Sequence, residues 1–217
     1  MKNEQVMKYH KLLRHKKTEI FFKRCFDLIF SLILAVLMFP FMVIVYFIIK
    51  FDSPGKAIFK QKRVTRYGKI FYVYKFRTMV KNAEKLGSQV TTDGDARITK
   101  CGKWLRKFRI DEFPQIFNII KGDLSFVGTR PEVPKYVKHY TPEMMATLLL
   151  PAGVTSPASI LYKDEAELLK NSDSPDETYV NEILPQKMKY NLEYIKNFGF
   201  FYDIKIMIKT VFAVIKR

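Results

Sequence analysis

The run from Leu28 to Ile49 constrains this chain more than any other stretch. No charged residue interrupts it, and only Ser31, Pro40 and Tyr46 break its apolar character. A membrane helix needs about 20 such residues, so the pattern predicts a membrane element over 21–50. The run is longer than a usual signal-peptide core, and no small-x-small cleavage pattern follows it, so an uncleaved element is expected.

The flanks set its expected topology. Lys2, Lys8, Lys11, Arg14, Lys16, Lys17, Lys23 and Arg24 precede it; Lys50, Lys56, Lys60, Lys62, Arg63, Arg66 and Lys69 follow. Segments rich in Lys and Arg stay on the cytoplasmic side, and a spanning helix of about 33 Å would export one of them. Pro40 removes a helix hydrogen bond near the middle. The arms on either side, roughly 18 and 14 Å long, each reach about half of a ~30 Å hydrocarbon core. A re-entrant helix, broken at Phe39-Pro40, keeps both flanks on one face.

The rest of the composition narrows the partners. A net charge of +17 calls for anionic ones; beside a membrane run these are lipid head groups and phosphorylated substrates, not nucleic acid. Two cysteines without CxxC spacing suit a reducing compartment. The three histidines stand at no metal-ligand spacing, so any metal should sit on carboxylates, which favours Mg2+.

The pattern predicts a predominantly α fold with a small β-hairpin (α+β). A basic leader (1–20) precedes the membrane element (21–50), followed by a cytosolic catalytic domain (51–182) and C-terminal amphipathic helices (183–217) packed on the domain or the membrane. The hairpin lies in 57–77, with its turn at Arg66-Tyr67-Gly68-Lys69. Alternation sets Ile70, Tyr72, Tyr74 and Phe76 on one face and Phe71, Val73, Lys75 and Arg77 on the other. Residues 81–97 read as a polar loop that could serve as a lid, and 98–109 as a basic amphipathic helix. Residues 123–131 form a turn or short strand, followed by a helix over 142–150, a Pro-Ala-Gly break at 151–153, an acidic stretch over 164–182, and helices over 185–197 and 202–216.

Asp111-Glu112 follows a dense basic run (Lys100, Lys103, Arg106, Lys107, Arg109). Asp111 reads as an N-cap, Pro114 as tolerable in the first turn and Gly122 as the stop. Two carboxylates ~4 Å apart repel by about 4 kcal/mol at an effective dielectric of ~20, so one stays protonated unless a cation or arginines intervene. Such a pair beside phosphate-binding N–H groups points to magnesium-assisted phosphoryl chemistry. Arg130, in Gly128-Thr129-Arg130-Pro131, offers a bidentate fork to phosphate.

Lys75-Phe76-Arg77-Thr78-Met79, the segment from Asp111 to Asn118 (DEFPQIFN) and the segment from Lys121 to Pro131 (KGDLSFVGTRP) resemble the bacterial sugar transferases, monotopic polyprenyl-phosphate phosphoglycosyl transferases. Lys23-Arg24-Cys25-Phe26-Asp27 and the apolar run fit as well. The resemblance is close over about 20–131.

It implies a cytoplasmic-membrane enzyme, on the cytosolic face, that moves a sugar-1-phosphate from a nucleotide sugar, usually a UDP-sugar, to undecaprenyl phosphate and releases UMP. This would be the first membrane step of a surface glycan or exopolysaccharide. By the same resemblance Asp111 is the nucleophile and forms a covalent phosphosugar intermediate, and Glu112, with Asp111, holds Mg2+. Lys75, Arg106, Arg130 and Pro131 line the phosphate and nucleotide site, and Lys23 and Arg24 meet lipid head groups. A homo-oligomer is allowed.

Three departures stand out. Phe39-Pro40 replaces the common Ser-Pro break, Thr129 replaces the first proline of a Gly-Pro-Arg-Pro turn, and 151–182 lack a Gly-Trp pattern. The alternatives are a non-catalytic membrane-anchored scaffold for anionic lipid or polyanion, and a glycosyl transferase that moves sugar without phosphate.

Overall fold

The computed structural model describes residues 3–83, 86, 94–162, 165–169 and 174–215. Helix α1 (Glu4–Arg14) leads into α2 (Lys17–Asp52), strands β1 (Ile58–Val64) and β2 (Ile70–Phe76), α3 (Lys100–Lys107), α4 (Ile116–Lys121) and β3 (Leu124–Val127). Then follow α5 (Pro134–Val137), β4 (Ala152–Thr155), α6 (Pro157–Leu161), α7 (Glu165–Leu168), α8 (Pro175–Thr178), α9 (Leu184–Lys196) and α10 (Phe200–Ile215). The α+β class is as expected. Most of the 81–97 loop, and residues 164 and 170–173 of the acidic stretch, lie outside the described residues.

Helix α2 is the long apolar element, and it runs without interruption through Phe39 and Pro40. Its 36 residues make it about 54 Å long. One face packs on the domain at helical spacing: Lys23, Asp27, Ser31, Met42, Val45 and Ile49 are buried. The rest of the circumference is apolar and bare, with Ile29, Ile33, Val36, Leu37, Phe39 and Ile44 all more than half exposed. Only 17% of its most apolar window is buried, at a mean hydropathy of 3.0. Such a surface has no favourable contact with water; the helix is long and apolar enough to enter a membrane.

The hairpin forms as the alternation predicts, with Arg63 opposite Phe71 and Phe59 opposite Lys75. Tyr67 (φ 58) and Gly68 (φ 77) take the left-handed conformations that close its turn. Phe71, Val73 and Arg77 are buried, so the face carrying Lys75 and Arg77 looks into the domain. A second sheet, absent from the sequence-based expectation, pairs β3 with β4 in parallel. The two strands approach so closely that a Cβ on Gly153 would collide with Gly128 N. The Pro-Ala-Gly segment is therefore a strand, not a mere break, and 142–150 contains a 3-10 turn (Met144–Leu149).

Two apolar clusters position the site. Met42, Val45 and Ile49 of α2 pack with Phe76, Leu105 and Ile110, and Phe113 adds to them; fully burying one such side chain stabilises by about 1.5–3 kcal/mol. Val6, Tyr9 and Leu13 of α1 join Val127, Leu150, Leu192, Ile195, Phe198 and Ile206. The N-terminal leader and the C-terminal helices thus pack into the domain core.

Candidate active site

The acid pair lies on a 3-10 segment, Ile110–Gln115, that runs on into α4. Asp111 does not cap a helix. Arg109 holds the N-cap position, with left-handed backbone at φ 58, and no side chain caps the turn. That kink frees Asp111, whose buried Oδ1 has no hydrogen-bond partner. Asn118 clips the segment to β2: its amide donates to Tyr72 O at 2.7 Å and its Oδ1 accepts from Tyr74 N at 3.0 Å. Gly122 ends α4 in the left-handed conformation expected of a stop (φ 82).

The clip brings Lys75 to the pair. Lys75 Nζ lies 3.2 Å from Glu112 Oε1, with Arg109 Nη1 at 3.6 Å and Arg130 Nη2 at 3.7 Å from the same oxygen. Burial would raise the Glu112 carboxyl, but Lys75, Arg130 and Arg109 outweigh it and hold it at about 2. Asp111 goes the other way. Burial and then the Glu112 charge push it above the usual carboxylate range, against the pull of Lys75, Arg106 and Arg109. Burial also lowers the Lys75 ammonium, against the pull of Glu112 and Asp111. Two adjacent carboxyls thus differ in character, one firmly ionised and one poised.

All of these groups line one cavity of about 1220 Å3, together with Arg63, Arg106 and Glu132. Arg106 is held by Thr78, whose Oγ1 accepts from its Nε at 2.8 Å. The structure therefore brings together Lys75, Arg106, Asp111, Glu112 and Arg130. Pro131 is not part of the wall; its carbonyl accepts from Arg63 at 2.9 Å and so holds that arginine.

Lys23 and Arg24 are not where head groups would meet them. Lys23 is 6% exposed, its ammonium 2.5 Å from Asp203 and 2.7 Å from Val127 O. Arg24 donates to Ile119 O at 2.7 Å and Ile120 O at 2.9 Å, capping the end of α4. The basic flank before the apolar run anchors α2 to the domain. Phe39 and Pro40 lie on the exposed surface of an unbroken helix.

Sequence reasoning passed over Arg63, Arg109, Glu132, Tyr179, Lys187 and the role of Arg77. The hairpin register could have found Arg63, since it shares a face with Lys75. Arg77 is the stop of the membrane helix: it donates to Ser53 O at 2.6 Å, Pro54 O at 2.9 Å and Ile49 O at 3.2 Å.

For a divalent cation, Asp111 and Glu112 are the adjacent carboxylates at the phosphate-facing arginines; among the described residues no group of three or more His, Cys, Asp or Glu side chains could hold a metal. The partnerless Asp111 Oδ1 fits Mg2+, which commonly takes one or two carboxylates and completes its shell with water and substrate phosphate.

Against known proteins, the model of the bacterial sugar transferases matches residues 18–217. The chain belongs to that family. It is 35% identical over 90% of its length to the UDP-N-acetylgalactosamine-undecaprenyl-phosphate N-acetylgalactosaminephosphotransferase of Aeromonas hydrophila, covering 44% of that protein. It is 30% identical over 93% of its length to the undecaprenyl-phosphate galactose phosphotransferase of Salmonella typhimurium, covering 42%. It is also 32% identical over 87% of its length to the undecaprenyl-phosphate glucose phosphotransferase of Komagataeibacter xylinus, covering 35%. The chain spans less than half the length of these three relatives.

Proposed function

We propose that this chain is a phosphoglycosyl transferase that moves a sugar-1-phosphate from a UDP-sugar to undecaprenyl phosphate and releases UMP. The observation that carries this function is the partnerless, buried Asp111 oxygen beside a Glu112 already neutralised by Lys75, Arg109 and Arg130. The names of the relatives support the acceptor and the phosphosugar; they differ in the sugar.

The Asp111 carboxylate attacks the sugar-bearing β-phosphorus, and the bond from that phosphorus to the bridging oxygen breaks. The electron pair leaves on UMP. A phosphate oxygen of undecaprenyl phosphate then attacks the aspartyl phosphorus and regenerates the carboxylate. Arg106, Arg109 and Arg130 hold the phosphate oxygens and offset the charge that develops on them. Glu112, fixed and ionised, keeps Lys75 and Arg130 oriented toward Asp111. Mg2+ held by Asp111 and Glu112 would supply charge neutralisation for the diphosphate.

The seat is the cytosolic face of a bacterial cytoplasmic membrane, with α2 entering one leaflet. Its packing supports this. Both ends of α2 pack on the domain, through Lys23, Asp27 and Ser31 at one end and Met42, Val45 and Ile49 at the other, while the middle is bare, so a helix crossing the bilayer would drag charged protein surface into hydrocarbon, at a cost of several kcal/mol per group. Pro40 supplies the missing hydrogen bond at which the axis can bend. On this basis the product begins a surface glycan.

The test is purified protein with UDP-sugars, undecaprenyl phosphate and Mg2+. UMP should appear, and Asp111→Asn should stop it; release of UDP would reject the reaction.

A further inference from the structure

A second polar cluster lines the same cavity: Glu132, Glu165, Tyr179 and Lys187. Lys187 Nζ lies 2.8 Å from Glu165 Oε2, 2.8 Å from Tyr179 Oη and 3.4 Å from Glu132 Oε1. Tyr179 donates to Glu132 at 2.7 Å. Glu132 is 4% exposed, and Tyr179 and Lys187 are 2% exposed. Burying these charges costs several kcal/mol before pairing, and an apolar replacement is often at least as stable. Pairing within the fold therefore does not explain why the charges are there.

Local structure points the same way. Tyr179 opens a π-helical turn, Tyr179–Ile183, just ahead of α9, which carries Lys187. Such turns sacrifice helix regularity and concentrate at functional sites. Glu165 is the open member, its side chain keeping 26% of its surface. Ser159 and Tyr162 share its wall.

The cavity is thus divided by chemistry. Lys103, Arg106 and Lys107 of α3 bring cationic groups to the lining, while the Glu132, Glu165, Tyr179 and Lys187 group carries carboxylates, a hydroxyl and an ammonium, with Arg63 Nη1 3.7 Å from Glu132. Phosphates belong with the first. A neutral, polyhydroxylated ring, whose hydroxyls both donate and accept, belongs with the second. Arg130 stands between them, 3.7 Å from Glu112 and two residues from Glu132.

We propose that Glu132, Glu165, Tyr179 and Lys187 form the subsite for the donor's pyranose, with Glu165 and Lys187 contacting its hydroxyl or acetamido groups and setting which sugar is accepted. This deepens the function above and rests on a nucleotide-sugar donor.

The test measures binding to the full chain in nanodiscs by calorimetry, for UDP and for UDP-glucose, UDP-galactose and their N-acetylamino counterparts. Glu165→Gln should compress the ratio between the best and worst sugar by about tenfold, as expected when a polar group that reads a hydroxyl is lost, while leaving the affinity for UDP unchanged. Tyr179→Phe, which keeps Glu165 but removes one partner of Lys187, should move the same ratio in the same direction and decides the matter if Glu165→Gln fails to fold. Ratios unchanged in a folded variant overturn the subsite. So does a parallel loss of UDP affinity, which would place the ribose there instead. A wild-type protein that binds sugars selectively through Glu165 yet releases no UMP would reject the reaction and keep the subsite. UMP release with unaltered ratios would do the reverse, and no binding of any UDP-sugar would overturn both.

Discussion

Lys75 Nζ lies 3.2 Å from Glu112 Oε1, and two residues further along the same strand face Arg77 holds the last carbonyls of the membrane helix. One strand therefore ties the acid pair to the long apolar element. Asp111, beside Glu112, is left as the carboxylate with a buried, unpartnered oxygen.

That oxygen costs stability. The Asp111 carboxyl is raised in the fold, so its stabilising contribution is present below the ordinary carboxylate value and lost as pH rises through the raised one. At neutral pH its charge is a burden. Asp111→Asn should therefore raise the melting temperature while cutting UMP release on the order of a thousandfold or more. Thermal scans and a UMP assay on one preparation check both; a destabilised variant would refute the electrostatic account.

The acid limb of the rate profile should lie above that of an ordinary carboxylate, because Asp111 must ionise to attack. Arg106 is among the charges pulling Asp111 down. In Arg106→Gln the limb should move to higher pH, in addition to any loss in rate. Initial rates across pH decide this, and a limb that stays put removes Arg106 from the role.

Glu112 contributes in the opposite sense. Its carboxyl falls from the usual 4.5 to about 2, so its stabilisation, about 3 kcal/mol by linkage, is complete above 4.5 and fades as pH drops toward 2. Lys75→Met removes a main support of that shift. Denaturant titrations at stepwise lower pH should show the variant less stable at neutral pH and losing less stability between about 4.5 and 2 than the wild type does.

The buried Lys23–Asp203 pair predicts a strongly non-additive cycle. Lys23→Met alone should cost about 3–5 kcal/mol, since it strands Asp203, whereas Lys23→Met with Asp203→Leu should cost less. Chemical denaturation of the four proteins measures it. A mild single variant whose main defect is vesicle binding would restore Lys23 to the head groups.

The re-entrant seat is checked by labelling. With Cys25 and Cys101 replaced by serine, single cysteines placed before Phe21 and after Lys50 should react with an impermeant reagent from the same side of sealed vesicles. Opposite-side labelling would make α2 a spanning helix.

Much of the fold was legible because it rests on local rules. The hairpin followed from alternation and its glycine turn, α4 from its Gly122 stop, and the long apolar helix from an uncharged run. The parallel pairing of β3 with β4 was not legible, because strands this short pair only where distant glycines let the backbones meet. Pro40 was read as a break, yet the helix continues through it, since a proline removes one hydrogen bond and the packed stripe on either side retains the rest.

The site divides in the same way. The sequence by itself determined that an acid pair follows a basic run beside a membrane element, because charge and hydropathy are properties of residues. Only the tertiary structure decided which charges meet. It sent Lys23 and Arg24 inward, turned Lys75 from a strand face toward Glu112, and brought Glu132, Glu165, Tyr179 and Lys187 from four segments into one wall. Such partnerships depend on which distant groups burial forces to find each other, and spacing along the chain does not carry that information.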